Sequence, residues 1–191
     1  MMNRPFADLS SLFLNIKVTD SKGAVIDCQK AILQVAKIVA SQSKKGKKAI
    51  FVGNGGSASI TSHMVTDFIR NLKIPALAFS DPSLLTCLSN DLGYENVFSA
   101  PIKVSANRGD ILFAISSSGK SRNILNAVTE ARKKGCFVVG LSGFSPKNPL
   151  RSIADINFHA PSFSYGDVEI AHLAICHAIV NTLHKDSLRS G

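Results

Sequence analysis

Two stretches decide how this chain is read: Ala49-Ile-Phe-Val-Gly-Asn-Gly-Gly-Ser57 and Ile111-Leu-Phe-Ala-Ile-Ser-Ser-Ser-Gly-Lys-Ser121. In each, an uninterrupted apolar run passes straight into glycine and serine, and a helical pattern follows. A short apolar run bounded by turn residues is the mark of a strand buried on both faces. Three more runs repeat the pattern: Ala76-Leu-Ala-Phe79, Phe137-Val-Val-Gly-Leu141 and Asp155-Ile-Asn-Phe-His159. Apolar residues at helical spacing fill the gaps, over Ala24 to Val39, Ser121 to Lys134 and Val168 to Leu183. Strands alternating with helices predict an α/β fold whose parallel sheet is covered on both sides.

Outward from these stretches, the composition narrows the function. With 191 residues the chain suits one α/β domain, and 45% hydrophobic against 18% charged residues excludes disorder. Residues 1 to 45 read as an N-terminal helical arm, packing on the core or on neighbouring subunits. The four cysteines, Cys28, Cys87, Cys136 and Cys176, are far apart, which argues against a disulfide framework and for a reducing, cytoplasmic setting. No apolar run is long enough for a membrane span. Lys and Arg exceed Asp and Glu by 22 to 13, a net charge of +9, and point to an anionic partner. The basic runs at Lys44, Lys45, Lys47, Lys48 and at Arg132-Lys133-Lys134 read as solvated helix ends rather than a nucleic-acid surface.

In a parallel α/β sheet, ligands sit at the carboxyl ends of the strands. Two of those ends, Asn54-Gly55-Gly56-Ser57 and Ser116-Ser117-Ser118-Gly119-Lys120-Ser121, offer hydroxyls and glycine ahead of a helix. Backbone N–H groups at a helix N-terminus, with hydroxyl donors beside them, make a phosphate cradle. The ordinary reading of such loops is turns and caps; two of them in one small protein favour a phosphorylated ligand. Neither loop has GxxxxGK[ST] or GxGxxG spacing, so no nucleotide cofactor is expected. The helix after the first loop carries His63 and Asp67 at i and i+4, on one face. The last helix carries Glu169 and His177, eight residues and about 80° apart around the axis. These four can form a divalent metal site or an acid/base set, or be solvated and structural groups. His172, on the same last helix, reads as a decoy, and His159 and His184 read as structural or exposed.

Taken together, Gly53-Asn-Gly-Gly-Ser-Ala-Ser-Ile-Thr-Ser-His63, Asn90-Asp91, Ser116-Ser-Ser-Gly-Lys-Ser121 and the Glu169 to His177 helix resemble the sugar isomerase (SIS) domain family. Within it the likeness is to the phosphoheptose isomerases and spans roughly residues 25 to 185. The resemblance implies a flavodoxin-like three-layer α/β/α sandwich with a five-stranded parallel sheet, and a homotetramer with active sites between subunits. It implies that Ser57, Ser116, Ser118 and Ser121 hold phosphate, with Ser117 lining the same loop. Asn54, Gly55 and Gly56 would line the sugar pocket, and Asn90 and Asp91 would touch substrate. His63, Asp67, Glu169 and His177 would bind a divalent metal, zinc by the chemistry of two nitrogen and two oxygen ligands. Asp67 stands where the family has Glu, and Glu169 where it has Gln. The implied reaction is aldose–ketose isomerisation of sedoheptulose 7-phosphate through an enediol, with Asp67 as base, His177 as acid and Glu169 as reserve base. A different reading in the same family is a non-catalytic module that senses a phosphosugar or binds a protein partner, of the kind associated with replication initiation. Four polar groups gathered on two helices favour the enzyme.

Overall fold

The computed structural model describes residues 5–189, with side chains over residues 6–184. Residues 1–4 of the expected N-terminal arm lie outside the described residues. Five strands run parallel: β3 (Ala49–Gly53), β4 (Ala76–Ala78), β5 (Ile111–Ser116), β6 (Phe137–Gly143) and β7 (Ile156–Ala160). Their order across the sheet is β4-β3-β5-β6-β7, which is the flavodoxin-like 2-1-3-4-5 arrangement. Every residue of β3, β5 and β7 is buried, as continuous apolar runs demand.

Seven strands make up the whole sheet, not five. A hairpin of β1 (Lys17–Asp20) and β2 (Val25–Ile26) extends it, with β1 antiparallel to β7 from Lys17↔His159 to Asp20↔Ile156. The expected arm is therefore not helical throughout. Helix α1 (Pro5–Leu14) precedes the hairpin, and α2 spans Cys28–Ser43. Val25 and Ile26 fit the helical spacing of α2 but lie outside it. Asp27 ends the strand and caps α2, its carboxylate accepting from Lys30 N at 3.0 Å.

Helices cover both faces. Helix α2, with α3 (Gly56–Arg70) and α8 (Tyr165–Arg189), buries Val35, Val39, Met64 and Phe68 against Phe51, Phe113 and Phe158 of the sheet. Phe51 stacks on Phe113 at 4.7 Å, and Phe68 meets Phe51 edge-on at 5.1 Å. The opposite face is covered by α5 (Ser99–Ser105), α6 (Arg122–Lys133) and α7 (Pro149–Ile153), with Ile50, Val52, Leu112 and Ala114 as the strand contribution. The face of α2 read as core or interface is core: Ala31, Ile32, Val35, Ala36 and Val39 are buried in this chain. Lys48 leaves the basic run, because its ammonium pairs with the buried Asp110 at 2.6 Å.

One polar knot lies inside this apolar frame. Ser142 Oγ donates to Asn157 Oδ1 at 2.9 Å and accepts from Asn148 Nδ2 at 3.2 Å. The Ser142 carbonyl accepts from His172 Nε2 at 3.0 Å, so the proton sits on Nε2 and Nδ1 is left as a buried acceptor. His172 is thus structural and takes no part in the site. Burial pushes both His159 and His172 down to about 4, from an ordinary value near 6.5, so both are neutral in the folded protein. Between about pH 6.5 and 4 the unfolded chain takes up protons on them that the folded chain does not, so stability falls as pH falls through that window. Urea midpoints measured from pH 7 to 4.5 are expected to show this, with a shallower slope in His172→Gln, which keeps a donor for the Ser142 carbonyl. Equal slopes would place the acid sensitivity in other groups.

Candidate active site

Strands β3 and β5 are neighbours in space but not in sequence, and their tips pair in register at Gly53↔Ile115. This brings the two glycine–serine loops side by side, and a cavity of about 360 Å³ opens between them. The β3–α3 loop lines it with Asn54, Gly55, Gly56 and Ser57; the β5–α6 loop lines it with Ile115, Ser116, Ser117, Ser118 and Ser121. Glu169 and Tyr165, from the start of α8, close the third side. Helices α2, α4 (Pro82–Leu92) and α7 are capped by the side chains of Asp27, Asp81 and Asn148. The two helices that open on the cavity, α3 and α6, have no side-chain cap. Their first N–H groups are therefore left for a ligand, with the positive end of each helix dipole behind them.

Local backbone explains the glycines. Gly55, at the N-cap of α3, has φ +53° and ψ −125°, a conformation that side chains resist. A Cβ on Gly56 would run into the Glu169 carboxylate, so the bare backbone is what lets α8 bring that carboxylate over the loop. Ser116 and Ser121 hydroxyls lie 3.1 Å apart across the second loop. That loop is fixed from beneath: Gly143 N donates to the Ser117 carbonyl at 2.9 Å, and Leu150 N to the Gly119 carbonyl at 3.1 Å. Both donors come from the segment that the Ser142 knot holds in place.

The acid/base set is divided. His63 Nε2 and His177 Nδ1 each stand 3.5 Å from Asp67 Oδ2, and the two imidazole rings meet at 5.1 Å. Asn71 Nδ2 donates to the other Asp67 oxygen at 2.9 Å. The ligand atoms of His63, Asp67 and His177 all lie within 4.8 Å of one another. Bonds of about 2.0–2.1 Å to a tetrahedral ion would place neighbouring ligands about 3.4 Å apart, so these three residues fit a zinc-sized cation with one position open. Glu169 lies outside this group. Eight residues of helix separate it from His177 by about 12 Å of rise as well as 80° of rotation, and only the rotation is visible in a face count. Its carboxylate belongs to the cavity, where no hydrogen bond engages it among the described residues.

Asn90 and Asp91 do not line the cavity. Both are exposed near the end of α4, where Asn90 Nδ2 donates to Asp91 Oδ1 at 2.9 Å. Residues that the motifs passed over stand closer. Tyr165 lines the cavity, and Phe144, at φ +54°, meets its ring at 4.8 Å. Asn123 is buried beside Asn54; a polar residue on the apolar stripe of α6 was its signal in the sequence.

Comparison with known proteins agrees with this architecture. The SIS domain model matches residues 17–143. This chain belongs to the SIS domain family. A phosphoheptose isomerase of Cytophaga hutchinsonii is 39% identical over 166 residues, 84% of this chain and 86% of that protein. One from Sodalis glossinidius is 36% identical over 167 residues, again 84% and 86%. The solved structure of a phosphoheptose isomerase from Francisella tularensis superposes with a TM-score of 0.82 at 27% identity, covering 94% of each chain. Within this SIS domain, α3 and α6 start at the serine loops without a side-chain cap, and an anion site there is open to a direct test. Replacing Ser118 and Ser121 together by Ala is expected to weaken binding of a sugar phosphate at least about 100-fold, since hydrogen bonds to a charged group contribute about 1.5–3 kcal/mol each. Calorimetric titration checks this; an unchanged dissociation constant would remove the serines from the anion site.

Proposed function

We propose that this SIS domain is a phosphosugar isomerase that interconverts sedoheptulose 7-phosphate and D-glycero-D-manno-heptose 7-phosphate. The phosphoheptose isomerase relatives support that substrate, and one observation within the chain carries it. The site has two poles. Gly56 and Ser57 start α3 at the anion end, and His63 lies seven residues further along the same helix, about 10 Å of rise away. At about 1.2 Å of reach per bond, the chain from C2 of a seven-carbon ketose to its terminal phosphorus spans about 8 Å. A phosphate on the serine loops therefore sets C1 and C2 near the His63–Asp67–His177 end.

The serine loops bind the phosphate and orient the chain, so that remote binding energy positions the reacting carbons. Asp67 takes the proton from C1 of the ketose and returns it to C2. His177, whose Nδ1 lies beside the same carboxylate, protonates the carbonyl oxygen as the enediol forms and takes up the proton of the C1 hydroxyl as the aldehyde forms, so both groups end as they began. Glu169, at the cavity wall, accepts hydrogen bonds from sugar hydroxyls between the poles. A divalent cation, zinc by preference, would be held by His63, Asp67 and His177, and when bound supplies polarisation of the carbonyl oxygen. Two imidazoles and one carboxylate leave such an ion a net charge of +1, so Glu169 does not neutralise it as a four-ligand set would. A homotetramer in the cytoplasm accords with the exposed Phe6 and Leu14 of α1 and with the absence, among the described residues, of a helix able to cross a membrane. In such an assembly the exposed Asn90 and Asp91 are available to a site completed between subunits.

A second reading of the base has its own observation: Glu169 is the carboxylate that lines the cavity, and among the described residues no hydrogen bond engages it. Turnover of sedoheptulose 7-phosphate, followed by product NMR in deuterated water, separates the two. Asp67→Asn and His177→Gln are each expected to lower kcat by about 10²-fold or more, and Glu169→Gln by much less. Full activity in Asp67→Asn with loss in Glu169→Gln would move the base to Glu169. Elemental analysis is expected to find up to one metal ion per chain, with a melting midpoint raised by added zinc in the wild type and not in His63→Ala. No bound metal and no shift under saturating zinc would leave the cluster as an acid/base set.

A further inference from the structure

Asn54 lines the cavity, and its amide is tied into a closed ring with Asn123. Asn54 Nδ2 donates to Asn123 Oδ1 at 3.0 Å, and Asn123 Nδ2 donates back to Asn54 Oδ1 at 2.9 Å. Two outside contacts give this ring a direction. The backbone N–H of Ile124 donates to Asn123 Oδ1 at 2.9 Å, inside the protein. The Tyr94 hydroxyl, from the 3-10 turn Tyr94–Asn96, lies 2.9 Å from Asn54 Oδ1 and donates to it.

A backbone N–H can only donate, so the Asn123 atom facing Ile124 must be its oxygen. The opposite orientation would set the Asn123 NH₂ against that N–H, two donors facing each other where a bond now stands, with the Ser121 carbonyl at 3.1 Å as the only acceptor left to Ile124 N among the described residues. With Asn123 fixed, Asn54 is fixed as well, because its nitrogen must face the Asn123 oxygen and its oxygen the Asn123 nitrogen. Counting then settles what Asn54 has left. Both lone pairs of its oxygen are taken, by Asn123 Nδ2 and by the Tyr94 hydroxyl. One of its two N–H groups is taken by Asn123. What remains for the cavity is one N–H donor and no acceptor.

We propose that Asn54 acts on the substrate as a fixed donor to a sugar oxygen, and that Tyr94 and Asn123 are the positioning residues that set this polarity. The inference rests on the isomerase reading for the identity of that oxygen. A donor of fixed direction strengthens its bond as charge gathers on oxygen during enediol formation, and it needs no reorientation at that moment. Tyr94 adds a mechanical link. It ties the turn that follows Asn90 and Asp91 to the loop after β3, across forty residues of sequence.

Three measurements test the relay on wild type, Tyr94→Phe and Asn123→Asp: steady-state turnover of sedoheptulose 7-phosphate, calorimetric binding of inorganic phosphate, and exchange of the Asn54 side-chain amide protons by NMR. Tyr94 is exposed, so its loss of one hydroxyl leaves the fold intact. Tyr94→Phe is expected to lower kcat about 3- to 10-fold, the scale of one neutral hydrogen bond. KM and phosphate affinity should stay within about twofold, and Asn54 amide exchange should quicken. Asn123→Asp, which sets a carboxylate oxygen against the Asn54 oxygen, should lower kcat more than Tyr94→Phe does. A merely structural role would lower the melting midpoint and leave kcat of the folded enzyme unchanged. Tyr94→Phe with wild-type kcat and wild-type Asn54 exchange overturns the relay. A wild type that does not turn over sedoheptulose 7-phosphate removes the isomerase reading, and equal Asn54 exchange in wild type and Tyr94→Phe then overturns the relay independently.

Discussion

The pairing of β3 with β5 is the constraint on which the rest of the molecule depends. It is where the strand order reverses, with the chain leaving β3 in one direction and returning on its other side as β5. At such a point the two following loops diverge and leave a crevice at the carboxyl ends of the strands. Here the loops are Asn54–Ser57 and Ser116–Ser121, and the helices they start are α3 and α6. The cavity follows from topology, and two helix starts without a side-chain cap open on it. Neither could be supplied by any one loop.

Holding that crevice in shape falls to groups that never reach it. Buried polar groups stabilise little on balance, yet leaving any one of them unpaired costs about 1–3 kcal/mol. The bonds that a buried knot does make are therefore strongly directional, here with Asn157 Nδ2 and His172 Nδ1 left without a partner among the described residues. Ser142, Asn148 and Asn157 fix the segment whose N–H groups hold the carbonyls of Ser117 and Gly119. The Asn54–Asn123 ring does the same for the first loop. Two burials of neutral imidazole, His159 and His172, accompany this arrangement and tie its stability to pH. The chemical consequence is a serine-rich surface whose donors are aimed before any ligand arrives.

Helices α3 and α8 extend the site away from the serine loops. Both begin at the carboxyl ends of strands, so they run side by side in the same direction, with Gly56 against Glu169 at one level and His63 against His177 further on. Along the pair stand the glycine–serine start of α3, then the Glu169 carboxylate beside it, then two imidazoles about the Asp67 carboxylate further on. Asp67 is engaged on both oxygens, by Asn71 and between the two imidazoles, whereas among the described residues no hydrogen bond engages Glu169. Environment, more than residue type, thus separates the two carboxylates.

Much of this was legible in the sequence, and the reason is local. A strand buried on both faces must be a continuous apolar run, so β3 to β7 stood out, as did the Gly/Ser loops that end two of them and the i, i+4 pair His63 and Asp67. The hairpin β1–β2 did not, because two to four residues cannot display a period and Val25 and Ile26 happen to fit the spacing of the helix that Asp27 actually starts. Periodicity also reported only rotation for Glu169 and His177; the rise along α8, which assigns one to the cavity and the other to the His–Asp cluster, counted for nothing until the helices were packed. Tyr94 and Asn123 reach Asn54 only through contacts spanning forty and sixty-nine positions of chain. Residue types and short-range spacing determined which chemistry this protein carries. Which groups meet was decided by tertiary structure, because strand order and helix packing are set by long-range burial that no local pattern records.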